Sequence, residues 1–222
     1  MNIQKGLALT VALGLSAATA QAEGFYISGN ISATSSGHTL ERNASTPGLP
    51  VTDTAGVGFS ETTDISGGIA LGYEKNIGNG PFFLGAEAFY NFEDASSRNI
   101  VGVLATDVSL NASYGARLLL GVEVAPKLSL YGHVGYTTLD FDLRNSYTFA
   151  PPVRNASRNE GAVSFGAGAR YAVNDKFSVF TEFTQVADVD FDGIAEVAGG
   201  TGRVNPNRLS LNKVSFGVKY DF

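Results

Sequence analysis

The sequence predicts an all-β fold, an eight-stranded antiparallel up-and-down transmembrane β-barrel, and three observations carry that prediction. The first is the C-terminal stretch 215–222. Phe216, Val218, Tyr220 and Phe222 fall on one face and Ser215, Gly217, Lys219 and Asp221 on the other. That is a period-2 strand with a greasy face and a wet face, and a chain stopping on an aromatic suits a last strand that closes a sheet against lipid. The second is that the same alternation recurs along the chain, while no apolar run after the first 22 residues approaches a membrane helix. The third is that the segments between strands are alternately short and long, as in barrels with tight turns at one membrane face and loops at the other.

The N-terminal segment has a different character. Lys5 precedes an apolar run over residues 6–18, and Ala20-Gln21-Ala22 follows. The run is shorter than the ~20 residues a spanning helix needs. The small-residue triplet reads as a cleavage site, so residues 1–22 are expected to be a signal peptide and the exported chain to begin at Glu23. The barrel domain is then 23–222. Cys is absent, which excludes a lipid-anchored N-terminus and disulfides. The 27 glycines, 15 Phe and 9 Tyr suit β structure with tight turns. The net charge of −6 disfavours nucleic acid as a partner.

Taken in order, strand one is expected at 25–35, with Phe25, Ile27, Ile31 and Ala33 outward. Strand two is expected at 63–74, with Ile65, Ile69, Leu71 and Tyr73 outward; strand three at 82–93, with Phe82 through Phe92 in alternation. Strand four is expected at 108–123, with Val108, Leu110, Ala112, Tyr114, Ala116, Leu118, Leu120 and Val122 outward. Strand five is expected at 128–138, six at 161–173, seven from Phe177 and eight at 211–222. Short turns fall at 76–81, 125–127 and 174–176, and long polar loops at 36–62, 94–107, 142–160 and 187–209. An even strand count puts both chain ends at the periplasmic side. Two places fit poorly. Strand seven carries Thr181 and Gln185 on its lipid phase, and at Thr137-Thr138 the apolar phase of strand five passes to Leu139, Phe141 and Leu143. A β-bulge is the expected cause of that switch.

The inward phase carries both charge signs, including Glu74, Glu87, Glu93, Arg117, Glu123, His133, Arg170, Glu182, Lys213 and Lys219. Eight strands leave a lumen that side chains fill, and charges inside it must pair. The hairpin about Asp175 brings Arg170 and Glu182 diagonally together, and Glu87 lies level with Arg117. A structural plug is favoured over a polar pore.

The alternation, the strand count and the terminal Phe together resemble the small outer-membrane β-barrel family that includes the OmpA transmembrane domain and opacity-type surface proteins. The resemblance covers residues 23–222 and implies a monomeric barrel in the bacterial outer membrane. The pattern Gly217-Val218-x-Tyr220-x-Phe222 also looks like the terminal signal read by barrel-assembly machinery. No cofactor is expected. Asp188, Asp190 and Asp192 before Gly193 start a calcium-loop pattern, but Gly199 stands where its closing Glu belongs, so a metal site is only a weak reading. His38, expected in a loop, and His133, expected in the lumen, have no placeable nucleophile, so an enzyme is disfavoured. The expected role is structural and surface-exposed: envelope integrity and loop-mediated adhesion or partner binding. The alternative is a small channel or conduit for ions or small hydrophobic solutes.

Overall fold

The computed structural model describes residues 24–41, 57–101, 104–147, 154–191 and 207–222. The expected cleavage site at Ala20, Ala22 and Glu23 lies outside them, as does Asp192. The strands are β1 (Phe25–Glu41), β2 (Val57–Asn76), β3 (Phe82–Val101), β4 (Leu104–Ala125), β5 (Leu128–Tyr147), β6 (Arg154–Ala172), β7 (Phe177–Phe191) and β8 (Asn207–Asp221). Each is antiparallel to its neighbours, and β1 pairs with β8 to close the barrel. The turns between β2 and β3, β4 and β5, and β6 and β7 share one end with both termini of the barrel. Short turns mark that end as periplasmic.

Near this end the alternation is that of a membrane barrel. Leu118, Leu120, Val134, Phe165, Phe183 and Phe216 are exposed on the outer wall, while Tyr26, Glu87, His133 and Glu182 are buried inside. Four inward aromatic rings each lie over a glycine directly across the ladder: Tyr26 over Gly72, Phe83 over Gly121, Tyr131 over Gly168 and Phe180 over Gly217. A Cβ on Gly72 would come within 2.3 Å of the Tyr26 ring, so these glycines make room for rings that cross the lumen. Outside, Phe25–Tyr73 and Phe177–Tyr220 pairs form an aromatic belt at the periplasmic end, and Tyr90 with Tyr114 and Phe92 forms part of one at the far end.

The strands run well past the ~9–11 residues a tilted strand needs to cross lipid; β4 has 22. The expected loop at 94–107 is largely strand, a hairpin continuing to the pair Val101↔Leu104. Likewise β1 runs on through His38, so that residue stands in a strand and not in a loop.

Two ladders stop short. The β2–β3 ladder ends at Gly67↔Phe92 and the β6–β7 ladder at Ser164↔Val186, while the other six continue toward the extracellular end. Above these points the sheet divides into two four-stranded leaves, β3-β4-β5-β6 and β7-β8-β1-β2. One apolar cluster joins their inner faces: Ala95, Val108, Leu110, Leu139, Phe141, Leu143 and Ala162 from the first leaf, and Val186, Val189, Leu209 and Leu211 from the second. The extracellular half is therefore packed like a β-sandwich standing on a membrane barrel.

This corrects two expectations. Val108 and Leu110 face inward, because a register shift between Leu110 and Ala112 reverses the phase of β4 there, while Ala112, though buried, stays in register with Phe92 and Asp140 on the outward phase. In β5 there is no bulge at Thr137-Thr138, and the β5–β6 ladder is continuous from Leu128↔Tyr171 to Asn145↔Arg154. The wall leaves lipid there, and the apolar side chains move from its outer face to its inner one. Gln185 is explained by the same boundary. Its row runs through Asn212, Ser35 and Thr63, where the outer wall of the second leaf turns polar.

Candidate functional site

Two features of the fold could carry function: the lumen and the outer wall of the extracellular half. The lumen is built in tiers. At the periplasmic end Arg170 donates to both Glu74 carboxylate oxygens at 2.7 and 2.8 Å, and Lys219 donates to the same carboxylate at 2.8 Å. Arg170 also lies over the Phe83 ring and Lys219 over the Tyr26 ring, at 4.8 and 4.2 Å from the centroids. In the middle tier Arg117 bridges two carboxylates, donating to Glu87 and to Glu182 at 2.6 Å each. The Tyr26 hydroxyl donates to Glu87 at 2.9 Å and the Tyr131 hydroxyl to Glu182 at 3.1 Å. His133 Nε2 sits 3.3 Å from the Thr184 hydroxyl and 3.6 Å from Glu182. In the upper tier Lys213 pairs with Glu93, which also accepts from Ser113 at 2.6 Å and from Thr34 at 3.3 Å.

Glu74, Glu87, Glu93 and Glu182 are thus matched in these tiers by Arg117, Arg170, Lys213 and Lys219. The groups are dry: Glu87 is 6 % exposed, Glu182 5 % and Lys213 7 %. A continuous water-filled pore would wet them. Two cavities of about 40 and about 20 Å³ lie among these side chains, room for a few water molecules. Above the upper tier the apolar cluster fills the space between the leaves.

Of the lumenal residues expected from sequence, Glu87, Arg117, Glu182 and His133 meet in the middle tier and Arg170 does not. The expected Arg170–Glu182 diagonal is not a contact, although the register Gly168↔Glu182 and Arg170↔Phe180 is as expected. Arg170 reaches across the lumen from β6 to Glu74 on β2 instead, because in so narrow a barrel the opposite wall is within side-chain reach. Glu123 is exposed at the periplasmic end. Tyr26 and Tyr131 were missed as hydrogen-bond donors to the carboxylates. Their signal was an aromatic on the polar phase, directly across the ladder from a glycine.

At the C-terminus, Val218 and Phe222 are exposed on the lipid side, and Tyr220 packs between Phe177 and Phe222 at 5.0 and 5.4 Å. Gly217 lies under the Phe180 ring. The Phe222 amide donates to the Phe25 carbonyl at 3.1 Å and fastens the closing strand to the first. Asp188 and Asp190 are exposed and share Arg208, at 3.8 and 3.1 Å. Their charge is answered by an arginine within the sheet.

The outer wall of the first leaf, just above the belt of Tyr90, Phe92 and Tyr114, is polar. It holds a cleft of about 860 Å³ lined by Asp94, Arg98, Asn111, Asp142, Arg144 and Ser157 among others. Asp142 is held by Asn111 at 3.0 Å and by Ser157 at 2.6 Å, and Arg98 lies 3.5 Å from Asp107.

The sequence matches the family described as outer membrane protein beta-barrel domain over residues 6–222. A search of curated proteins gives no match. Solved structures with a similar fold include the outer membrane protein OprG from Pseudomonas aeruginosa, with a TM-score of 0.50 and 12% identity over 90% of this chain and 96% of that one. AlkL in lipid bilayers gives a TM-score of 0.51 with 14% identity over 92% of each chain. The outer membrane protease OmpT from Escherichia coli gives 0.51 with 9% identity over 91% and 98%. At such identities the likeness is one of fold.

Proposed function

The chain belongs to the outer membrane protein β-barrel domain family, and on that premise we propose that it is a closed, non-conducting barrel of the bacterial outer membrane. Its membrane half anchors it and contributes to envelope integrity, and its extracellular half presents the surface that meets partners. The filled lumen carries this reading. Ionic tiers occupy the membrane half and an apolar core the extracellular half, and neither leaves room for a solute. The similar structure that is a protease shares this chain's fold at 9% identity. In the present chain the lumenal histidine, His133, is buried beside Thr184 and Glu182 inside a closed barrel, out of reach of a substrate, so the reading is non-enzymatic. Planar-bilayer recording tests it. Purified protein is expected to give no unitary current steps, and steady discrete steps from the wild-type chain would replace this reading with a small channel or conduit.

Two further parts of the reading concern biogenesis. The exported protein begins at Glu23 and works as a monomer. The C-terminal Phe222, at the seam where β8 meets β1, serves as the signal for the barrel-assembly machinery. Deleting Phe222 is expected to lower the amount reaching the outer membrane several-fold while the purified variant still refolds in vesicles. Normal surface levels of the deletion variant would show that the terminal aromatic is not read as a signal.

A further inference from the structure

We propose that the edge of β2 above Gly67 is a docking site for an extended, basic segment of an extracellular protein, which adds to the second leaf as an extra strand. The inference rests on the reading that the extracellular half is the contacting half, and it names one partner class for one edge of it. The first argument is the backbone. β2 stays paired with β1 up to Val57↔Glu41, but its ladder with β3 ends at Gly67↔Phe92. Over residues 57–66 the backbone groups turned away from β1 have no strand partner among the described residues. Such an edge is a template for another strand. The leaves are also least tied at this corner. The apolar cluster that joins them takes residues from β3 through β8 and none from β1 or β2.

Asp64 gives the second argument. It lies on the inward phase of β2, directly across from Thr34, and one of its carboxylate oxygens is buried without a hydrogen bond. The nearby hydroxyls are committed, since Thr34 donates to Glu93 and is bonded to Ser66. Lys213, on the far side of Thr34, is paired with Glu93. A buried acceptor of this kind calls for a donor, and a lysine or arginine on an added strand supplies one with the complementary charge. On the outer face of the same edge Ile65 is 82% exposed, more than any other large apolar side chain among the described residues. The segment that fits therefore alternates basic and apolar residues, basic toward Asp64 and apolar beside Ile65. A second copy in the same membrane fits worse. It offers this edge either its own β2, which repeats Asp64, or its β3, which carries Glu93 and Asp94, and both set acid against acid.

The test uses the exported, folded protein in nanodiscs of phosphatidylcholine, a lipid without net charge. The probe is an N-acetylated octapeptide of alternating valine and lysine, compared with its valine–glutamate counterpart and with a copy N-methylated at alternate residues. Affinity is read by fluorescence anisotropy and edge pairing by amide hydrogen exchange. Wild type is expected to bind the lysine peptide at least tenfold more tightly than the glutamate peptide. Binding should slow exchange of those β2 amides above Gly67 that are not bonded to β1. D64N should lose the tenfold preference, whereas D188N, which removes an exposed charge elsewhere, should keep it. The N-methylated copy should neither bind nor protect. Binding without protection of β2, equal losses in D64N and D188N, or binding by the N-methylated copy overturns the proposal. If D64N is not heat-modifiable, the three peptides on wild type decide alone. Bilayer recording on the same preparation separates the two readings. A conducting protein that still protects β2 refutes the closed barrel and leaves this edge standing, and a silent protein without protection does the reverse.

Discussion

On β5, Val134 and Tyr136 face outward and are exposed while His133 is buried inside; further along the same strand Asp142 faces outward and Leu139, Phe141 and Leu143 are buried inside. The backbone between them is unbroken. Apolar groups go where the alternative is water, and polar groups go where a partner exists. In the membrane half the outside is lipid, so the interior can carry charge provided that every charge is paired. In the extracellular half the outside is water, so the interior is apolar and two leaves pack as in a soluble sandwich. The halves therefore rest on different physics, one on ion pairs and hydrogen bonds, the other on close packing, and different substitutions should break each.

The largest expected effect is in the ionic half. Arg117 holds Glu87 and Glu182 together, so Arg117→Ala strands two buried carboxylates. The cost is expected at about 3–5 kcal/mol, the range for breaking a buried pair. Equilibrium urea unfolding in lipid vesicles measures it. Adding Glu182→Gln to Arg117→Ala should restore part of the loss, because it removes one of the stranded charges. A double variant less stable by the full sum of the singles would mean that these groups do not act as a unit.

In the packed half the expected damage is a cavity. Leu139 is fully buried in the cluster shared by the leaves, and Leu139→Ala should cost about 3 kcal/mol through lost transfer energy and the void left behind. In this half a compensating charge change elsewhere should recover nothing, while refilling the space from the facing leaf, as with Val189→Leu, should recover some. A loss below about 1 kcal/mol would show that the leaves are not packed on one another.

How much of this was legible follows from the same division. The lower strands were readable because lipid outside and a narrow lumen inside force strict alternation, and Ile69, Leu118 and Leu120 stand where the pattern placed them. Their pairing was less readable. Sequence gives register between neighbouring strands, but Arg170 finds Glu74 across the lumen, and no local pattern encodes that reach. Above the membrane the apolar residues remained visible in the sequence, but the solvent outside them had changed. Leu139, Phe141 and Leu143 therefore looked like a lipid face displaced by a bulge, when they are an interior face with no bulge at all. Where the phase of β4 does switch, between Leu110 and Ala112, the chain shows no glycine or proline to announce it.

The boundary itself can be located by the smallest of the expected effects, a lysine placed on the outer wall of one strand at two heights. Val134 and Thr138 share the outward phase of β5, with Val134 directly across from Leu118 and Phe165, and Thr138 across from Tyr114 and Gly161. Val134→Lys puts a charge among lipid-facing apolar groups and should cost about 2 kcal/mol, toward the lower end of what a midplane cation costs a barrel. Thr138→Lys, one row into the aromatic belt, can raise its ammonium into the headgroup zone and should cost less than about 1 kcal/mol. The comparison is internal to one strand, so backbone pairing and strand propensity largely cancel. Equal costs at the two sites would place the lipid boundary elsewhere. The change from lipid to water at Thr138 would then no longer account for the exchange of faces along β5, and the apolar interior above that residue would need another cause.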